Sequence, residues 1–190
     1  MKRNRKNIDK KKRKNRALRN ILLIFLGLGI CMGGNYLANQ SVFITHYEVV
    51  NESLPLNFDG FRIVQVTDVH SIRTQEQADL FYEKIVGERP DAVVITGDLV
   101  DSTYYEEENK ALKEGLSDKM AGQDTIDFIS RLAEHYYVYY VYGNHEMILL
   151  DDVDNNPFKV AMEELGVIFL NNNGVKITKD DESIYMLGIQ

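Results

Sequence analysis

Three short apolar segments that alternate with amphipathic segments constrain the fold of this 190-residue chain most strongly. Residues 61–66 are rich in β-branched side chains, residues 91–96 are almost continuously apolar, and residues 137–142 contain only Tyr and Val, so each is predicted to be a strand. Apolar spacing predicts helices over residues 74–86 and 125–135. Alternating strands and helices are typical of a parallel sheet covered by helices, which places the chain in the α/β class.

The remaining segments extend this pattern. Residues 102–123 are acidic and poorly periodic, and we predict a lid or excursion with some helix there. A helix is predicted over residues 156–165, because Asn-Pro opens it and a glycine follows it. Further short strands are predicted at residues 41–50, 167–170, 175–178 and 184–188, the last two forming a hairpin.

A polar cluster follows each of the three main strands. The clusters are Asp68-Val69-His70, Gly97-Asp98, and Gly143-Asn144-His145-Glu146. Because the carboxyl ends of parallel strands open into one crevice, these side chains are expected to converge. Carboxylates, imidazoles and an amide oxygen are ligands for divalent cations, and such convergence is typical of metal-dependent hydrolases.

The residue types suggest which side chains bind which ion. Asp68 and His70 lie two apart on an extended segment and can face the same ion, while Asp98 has two oxygens and can bridge two ions. Asn144 offers a neutral oxygen to the second ion. The alternative for each cluster taken alone is turn chemistry, since Asp and Asn often begin turns and cap helices.

The third cluster also supplies a candidate proton donor. His145 directly follows a predicted ligand, so its imidazole can transfer a proton to a leaving oxygen without binding metal. Glu146 is predicted to orient that imidazole, as carboxylates often do.

These motifs, in this order, resemble the calcineurin-like metallophosphoesterase family, and the phrases at residues 59–68 and 95–101 resemble its bacterial membrane-associated phosphodiesterase branch. The resemblance implies an α/β/β/α sandwich and two divalent metal ions, such as Mn, Fe or Zn. It assigns Asp68, His70 and Asp98 to the first ion, Asp98 and Asn144 to the second, and proton donation to His145. The implied reaction is phosphodiester or pyrophosphate hydrolysis by an activated water.

The chain departs from the family pattern after the third cluster. The family continues with a further histidine and a Gly-His-x-His segment, whereas no histidine follows His145 here. We therefore expect the chain to be a fragment with an incomplete sandwich, inactive or weakly active alone. The alternative is a non-catalytic, membrane-tethered binding or scaffold module with a degenerate metal site.

The amino terminus predicts a membrane anchor. Residues 1–19 contain eleven Lys or Arg and one Asp, and residues 21–38 form an uncharged, mainly apolar run. We predict a cytoplasmic basic segment (1–20), a single-pass anchor (21–38), a linker (39–57) and an extracytoplasmic domain (58–190). A cleaved signal peptide and a basic nucleic-acid-binding arm are the alternatives.

The charge distribution bears on partners. The net charge is −7 despite the basic start, so the rest of the chain is strongly acidic, which argues against nucleic-acid binding by the domain. The anchor favours lipid-linked or envelope-derived phosphoester substrates. Gly29 and Gly33 form a small-xxx-small pair through which two anchors can dimerise. The single cysteine, Cys31, excludes an internal disulfide.

Overall fold

A computed structural model describes residues 16, 18–34, 42–149 and 156–189. The chain divides into two compact units, Met1–Phe43 and Ile44–Gln190. In the first unit, residues 18–34 form helix α1, whose side chains are exposed. Within the described ranges, none of the helices has both the length and the hydropathy that a membrane crossing requires. The basic residues 1–15 and the end of the predicted anchor, residues 35–38, lie outside the described residues.

The second unit contains a parallel sheet and a separate hairpin. Its strands are β1 Ile63–Val66, β2 Ala92–Thr96, β3 Tyr137–Val141, β4 Ile168–Phe169, β5 Asn173–Lys179 and β6 Glu182–Gly188. Strands β1 to β4 pair in sequence order and all in parallel, while β5 and β6 pair antiparallel. The α/β class and the predicted hairpin are therefore confirmed.

Helices α2 and α6 begin at side-chain caps that the sequence supplies. They are α2 Gln75–Gly87, α3 Ser102–Lys113, α4 Gln123–Ala133, α5 Asn144–Leu149 and α6 Pro157–Glu164. Thr74 caps α2 by accepting a hydrogen bond from the Gln77 N–H, and Asn156 caps α6 by accepting one from the Phe158 N–H. Each predicted helix is thus present within two residues of its predicted ends.

The two faces of the parallel sheet bury different sets of residues, because successive side chains of a strand point to opposite faces. Val93, Ile95, Val138 and Tyr140 pack in one core with apolar residues of the helices. Ala92 and Tyr139 pack on the other side with three hairpin residues, Val175, Ile177 and Met186. Helices and hairpin therefore sandwich the sheet, and in the described part of the chain the outer hairpin face stays exposed, with Tyr185 and Leu187 each 70% accessible.

One prediction about local structure needs correction. Residues 42–50 are irregular rather than an edge strand, and their apolar side chains Phe43, Tyr47 and Val49 are more than 80% exposed, so burial cannot stabilise a strand there. The segment predicted as a lid or excursion with some helix contains the twelve-residue helix α3, so the helix predicted there is present. Asp101 makes that helix possible, because its carboxylate accepts a hydrogen bond from the Tyr104 N–H at the helix start.

Candidate metal centre

The loops that follow β1 and β2 stay joined beyond the ends of the strands. The N–H groups of Asp68, His70 and Ser71 donate to the carbonyl oxygens of residues 97, 98 and 99, at 3.3, 2.9 and 2.8 Å. These bonds extend the pairing of the two strands into their loops. The first two polar clusters therefore lie side by side at the carboxyl edge of the sheet.

The backbone at this edge adopts left-handed conformations at four non-glycine residues. The φ angles are 56° at Asp68, 52° at His70, 74° at Ser71 and 51° at Asp98. Such conformations cost about 1–3 kcal/mol per residue and persist only where surrounding contacts enforce them. They interrupt the extended geometry of the strands, so the alternation of side chains along a strand no longer applies in these loops.

Two glycines allow the second and third loops to touch. A Cβ at Gly97, where φ is 88°, would lie 2.5 Å from the Gly143 Cα. A Cβ at Gly143 would lie 2.2 Å from the Asp98 Oδ1. Real side chains do not approach so closely, so these positions require glycine if the Asp98 carboxylate is to keep its place.

Three of the predicted site residues share one small volume. The potential ligand atoms of His70, Asp98 and His145 all lie within 4.8 Å of one another, and all three side chains are half-buried. The two imidazole rings meet edge to face, with centroids 4.9 Å apart. Asp98 Oδ1 also accepts a hydrogen bond from the backbone N–H of His145 at 3.1 Å. Two imidazoles and a carboxylate form a donor set that suits Zn²⁺, Mn²⁺ or Fe²⁺.

The membership of this group differs from the sequence assignment at two positions. His145 was assigned to proton transfer alone, yet its imidazole lies among the potential ligands. Asp68 is exposed and outside the group, and its Oδ2 accepts a hydrogen bond from the Thr67 hydroxyl at 2.7 Å. Asn144 is exposed at the first position of α5, directly before His145.

The expectation that Glu146 orients the His145 imidazole was wrong. Glu146 is fully buried, and its carboxylate accepts five hydrogen bonds. The donors are the N–H groups of Asp98, Leu99, Val100 and Gly143 and the Tyr140 hydroxyl, at 2.7–3.1 Å. Because a buried carboxylate needs its oxygens satisfied, Glu146 joins the second and third loops to each other instead of facing the imidazole.

Ser102, a residue that sequence reasoning missed, occupies the position beside His145. Its N–H donates to His145 Nδ1 at 3.1 Å, and its hydroxyl lies 3.0 Å from the same atom. An N–H group can only donate, so Nδ1 is an acceptor and the neutral imidazole carries its proton on Nε2. The signal for this contact was the N-capping pattern at Asp101, which places the first residue of α3 at the site.

The surroundings of the site lower the pKa of Asp101 and raise the pKa of Tyr140. The pKa of Asp101 lies below its usual 3.8, chiefly because the Tyr104 N–H donates to the carboxylate; the nearby Arg73 guanidinium contributes less. Burial raises the pKa of Tyr140 well above 10.0, and the Glu146 charge raises it further, so the hydroxyl stays a donor.

Comparison with known proteins gives a consistent result. Residues 61–186 match the family model described as calcineurin-like phosphoesterase. The chain is 28% identical to a bovine (Bos taurus) "transmembrane protein with metallophosphoesterase domain", over 91% of this chain and 37% of that protein. It is 26% identical to each of two uncharacterized Bacillus subtilis metallophosphoesterases: YkuE, over 58% of this chain and 35% of that protein, and YkoQ, over 67% and 42%. The chain thus spans less than half of each relative's length, and no solved structure matches it.

Proposed function

Because the chain belongs to the calcineurin-like phosphoesterase family, we propose that it provides the metal centre of a membrane-anchored hydrolase acting on phosphodiesters or pyrophosphates. The observation that carries the proposal is the convergence of His70, Asp98 and His145 at the carboxyl edge of the sheet. Phosphoester hydrolysis needs positive charge at phosphorus and a proton for the leaving oxygen. The proposal assigns the first to bound cations, and a hydrogen bond to the leaving oxygen to the His145 imidazole.

The donor set fits divalent cations. His70 and Asp98 would hold a first ion with Asp68, whose exposed carboxylate accepts a hydrogen bond from Thr67 in this structure. Asp98 and Asn144 would hold a second ion. When bound, such ions polarise phosphoryl oxygens and lower the pKa of water at the centre.

The chain's own residues have three tasks in this proposal. Gly97 and Gly143 let the two loops approach until the Asp98 carboxylate faces the crevice. Glu146 joins those loops by accepting hydrogen bonds from the backbone N–H groups of Asp98 and Gly143. His145 accepts a hydrogen bond at Nδ1 from Ser102, so its Nε2 N–H would donate a hydrogen bond to a phosphoryl or leaving oxygen.

A hydrolysis assay tests the catalytic assignment. With Mn²⁺ and bis-p-nitrophenyl phosphate, we expect Asp98→Ala and His145→Ala each to lower kcat/KM by about 10²-fold or more, because the first removes a ligand of the cations and the second removes a hydrogen-bond donor to the phosphoryl oxygens. Asp118→Ala and His135→Ala, exposed residues of the same types, are the matched controls. EDTA should abolish turnover, and Mn²⁺ should restore it.

Two outcomes would overturn the proposal in different ways. Turnover by Asp98→Ala within threefold of wild type would refute the site assignment. Mn²⁺ binding at Asp98 without turnover of any phosphoester would support a non-catalytic, tethered module instead.

The anchored location rests on separate support. Residues 21–38 are uncharged and mainly apolar behind a basic segment, and the bovine relative is named a transmembrane protein. The proposed topology places the phosphoesterase domain outside the cytoplasm, where lipid-linked or envelope phosphoesters are accessible. A tag after residue 189 should be digested by protease added to intact spheroplasts. Complete protection there, with digestion after lysis, would contradict this topology.

A further inference from the structure

Arg73 follows His70 by three residues and precedes the start of α2 by two. The backbone N–H of Arg73 donates to the Gln77 side-chain oxygen at 3.0 Å, so the helix that follows fixes the backbone at this position. Its side chain is 50% exposed. Arg73 therefore belongs to the loop that follows β1, and its guanidinium is accessible to a ligand.

Two residues at the start of α3 hold the guanidinium in place. Its carbon lies 4.5 Å from the centroid of the Tyr104 ring, a stacking contact, and a guanidinium nitrogen lies 3.9 Å from Asp101 Oδ2. Tyr104 lies on α3, and Glu108, one turn further along that helix, accepts a hydrogen bond from the Gly122 N–H at 2.8 Å. Arg73 thus rests against the first turn of α3, which serves as its platform.

The platform is contiguous with the candidate centre. The Asp101 N–H donates to the Ser71 hydroxyl at 2.9 Å, and the next residue, Ser102, contacts His145. The 3.9 Å separation from Asp101 is longer than a hydrogen bond, so this ion pair does not consume the N–H donors of Arg73. A planar fork of donors beside a phosphoesterase centre matches the oxygens of a phosphate group.

We propose that Arg73 binds the second phosphoryl group of a pyrophosphate-linked substrate and makes the enzyme prefer such substrates to simple phosphodiesters. This inference rests on the proposed hydrolase function. The scissile phosphorus would lie at His70, Asp98 and His145, and the neighbouring phosphate would reach Arg73. Water adds to one phosphorus, the bridging P–O bond breaks, and the bridging oxygen leaves on the second phosphate and takes a proton, which yields two phosphomonoesters.

Arg73 would then act on binding and on the leaving group. Its charge neutralises the phosphate that departs, so its loss should lower kcat/KM for pyrophosphate linkages but not for an ester whose leaving group is an uncharged aryl alcohol. Hydrogen bonds to a charged group are worth enough to predict about a tenfold to hundredfold effect.

The test compares two substrates in three variants. For Arg73→Ala with Mn²⁺, we expect kcat/KM to fall about tenfold to hundredfold for ADP-ribose and to change less than threefold for bis-p-nitrophenyl phosphate. Arg73→Lys keeps the charge but not the fork and should fall between. Lys84→Ala, which removes one exposed positive charge at the far end of α2, is the control and should match wild type for both substrates.

A binding measurement separates this inference from the hydrolase proposal. By calorimetry on the Mn²⁺-loaded protein, Arg73→Ala should bind methylenediphosphonate, which cannot be hydrolysed, at least tenfold more weakly than wild type. Its affinity for methylphosphonate should be unchanged, which also shows that the variant is folded. Equal losses for both ligands would mean that Arg73 only supports α3, and no loss would mean that it binds no phosphate; either result overturns the inference. Arg73-dependent diphosphonate binding without any hydrolysis would sink the hydrolase proposal and leave the binding role intact.

Discussion

Replacing Glu146 by glutamine should destabilise this fold more than the loss of one surface charge ever does. Glu146 Oε1 accepts from Leu99, Val100 and Tyr140, and Oε2 accepts from Asp98 and Gly143. Glutamine has the same shape but replaces one of these oxygens by an NH₂ group, which only donates. At least two buried donors then face another donor.

The magnitude follows from those two lost bonds. A hydrogen bond to a charged group contributes about 1.5–3 kcal/mol, so we expect the free energy of unfolding to fall by roughly 3–6 kcal/mol. That is a large share of the total of about 5–15 kcal/mol typical of a domain. Tyr140→Phe, which removes a single donor and leaves two on Oε1, should cost about 1.5–3 kcal/mol.

Urea unfolding followed by circular dichroism measures both variants. Glu107→Gln, on the exposed face of α3, is the matched control and should stay within about 0.5 kcal/mol of wild type. If Glu146→Gln lost less than about 1 kcal/mol, the buried carboxylate would not be the link between the two loops, and this account of the site's rigidity would be wrong.

Two further predictions concern the same loops. Gly143→Ala should lower kcat for bis-p-nitrophenyl phosphate at least tenfold, because the new Cβ would lie 2.2 Å from the Asp98 Oδ1; unchanged kinetics would contradict the close packing. Asp101→Asn keeps the helix cap but removes a charge whose pKa lies below 3.8, chiefly because Tyr104 N–H donates to it. Because the pKa of Asp101 is lower in the folded state, its ionised carboxylate stabilises the fold at pH values above the usual pKa of 3.8. Wild type should therefore melt at a higher temperature than the variant near neutrality. The difference should vanish as the pH falls through the folded pKa; a constant gap would contradict this.

The sequence was sufficient to predict strands β1 to β6, helices α2, α4 and α6, and the edge of the sheet that carries the site. Periodicity and capping residues mark α2 and α6, and the rule that parallel strands end at one edge brings His70, Asp98 and His145 together. These are consequences of local pattern and topology. They need no knowledge of side-chain orientation.

The roles of Asp68, Glu146 and Ser102 could not be predicted in the same way. The φ of 56° at Asp68 sets its carboxylate beside Thr67, and extended-strand spacing gives no sign of that reversal. Glu146 finds its partners in a loop 46–48 residues earlier, so only the folded chain shows that it is buried. Contacts between distant segments decide such roles, and a motif read along one segment does not contain them.

Anomalous diffraction from a crystal soaked with Mn²⁺ tests the central claim most directly. The account predicts a peak at about 2.0–2.3 Å from a His70 nitrogen and an Asp98 oxygen, at the carboxyl edge of β1 and β2, and its loss in Asp98→Ala. A peak that persists in Asp98→Ala, or a fully soaked crystal with manganese bound only elsewhere, would contradict it.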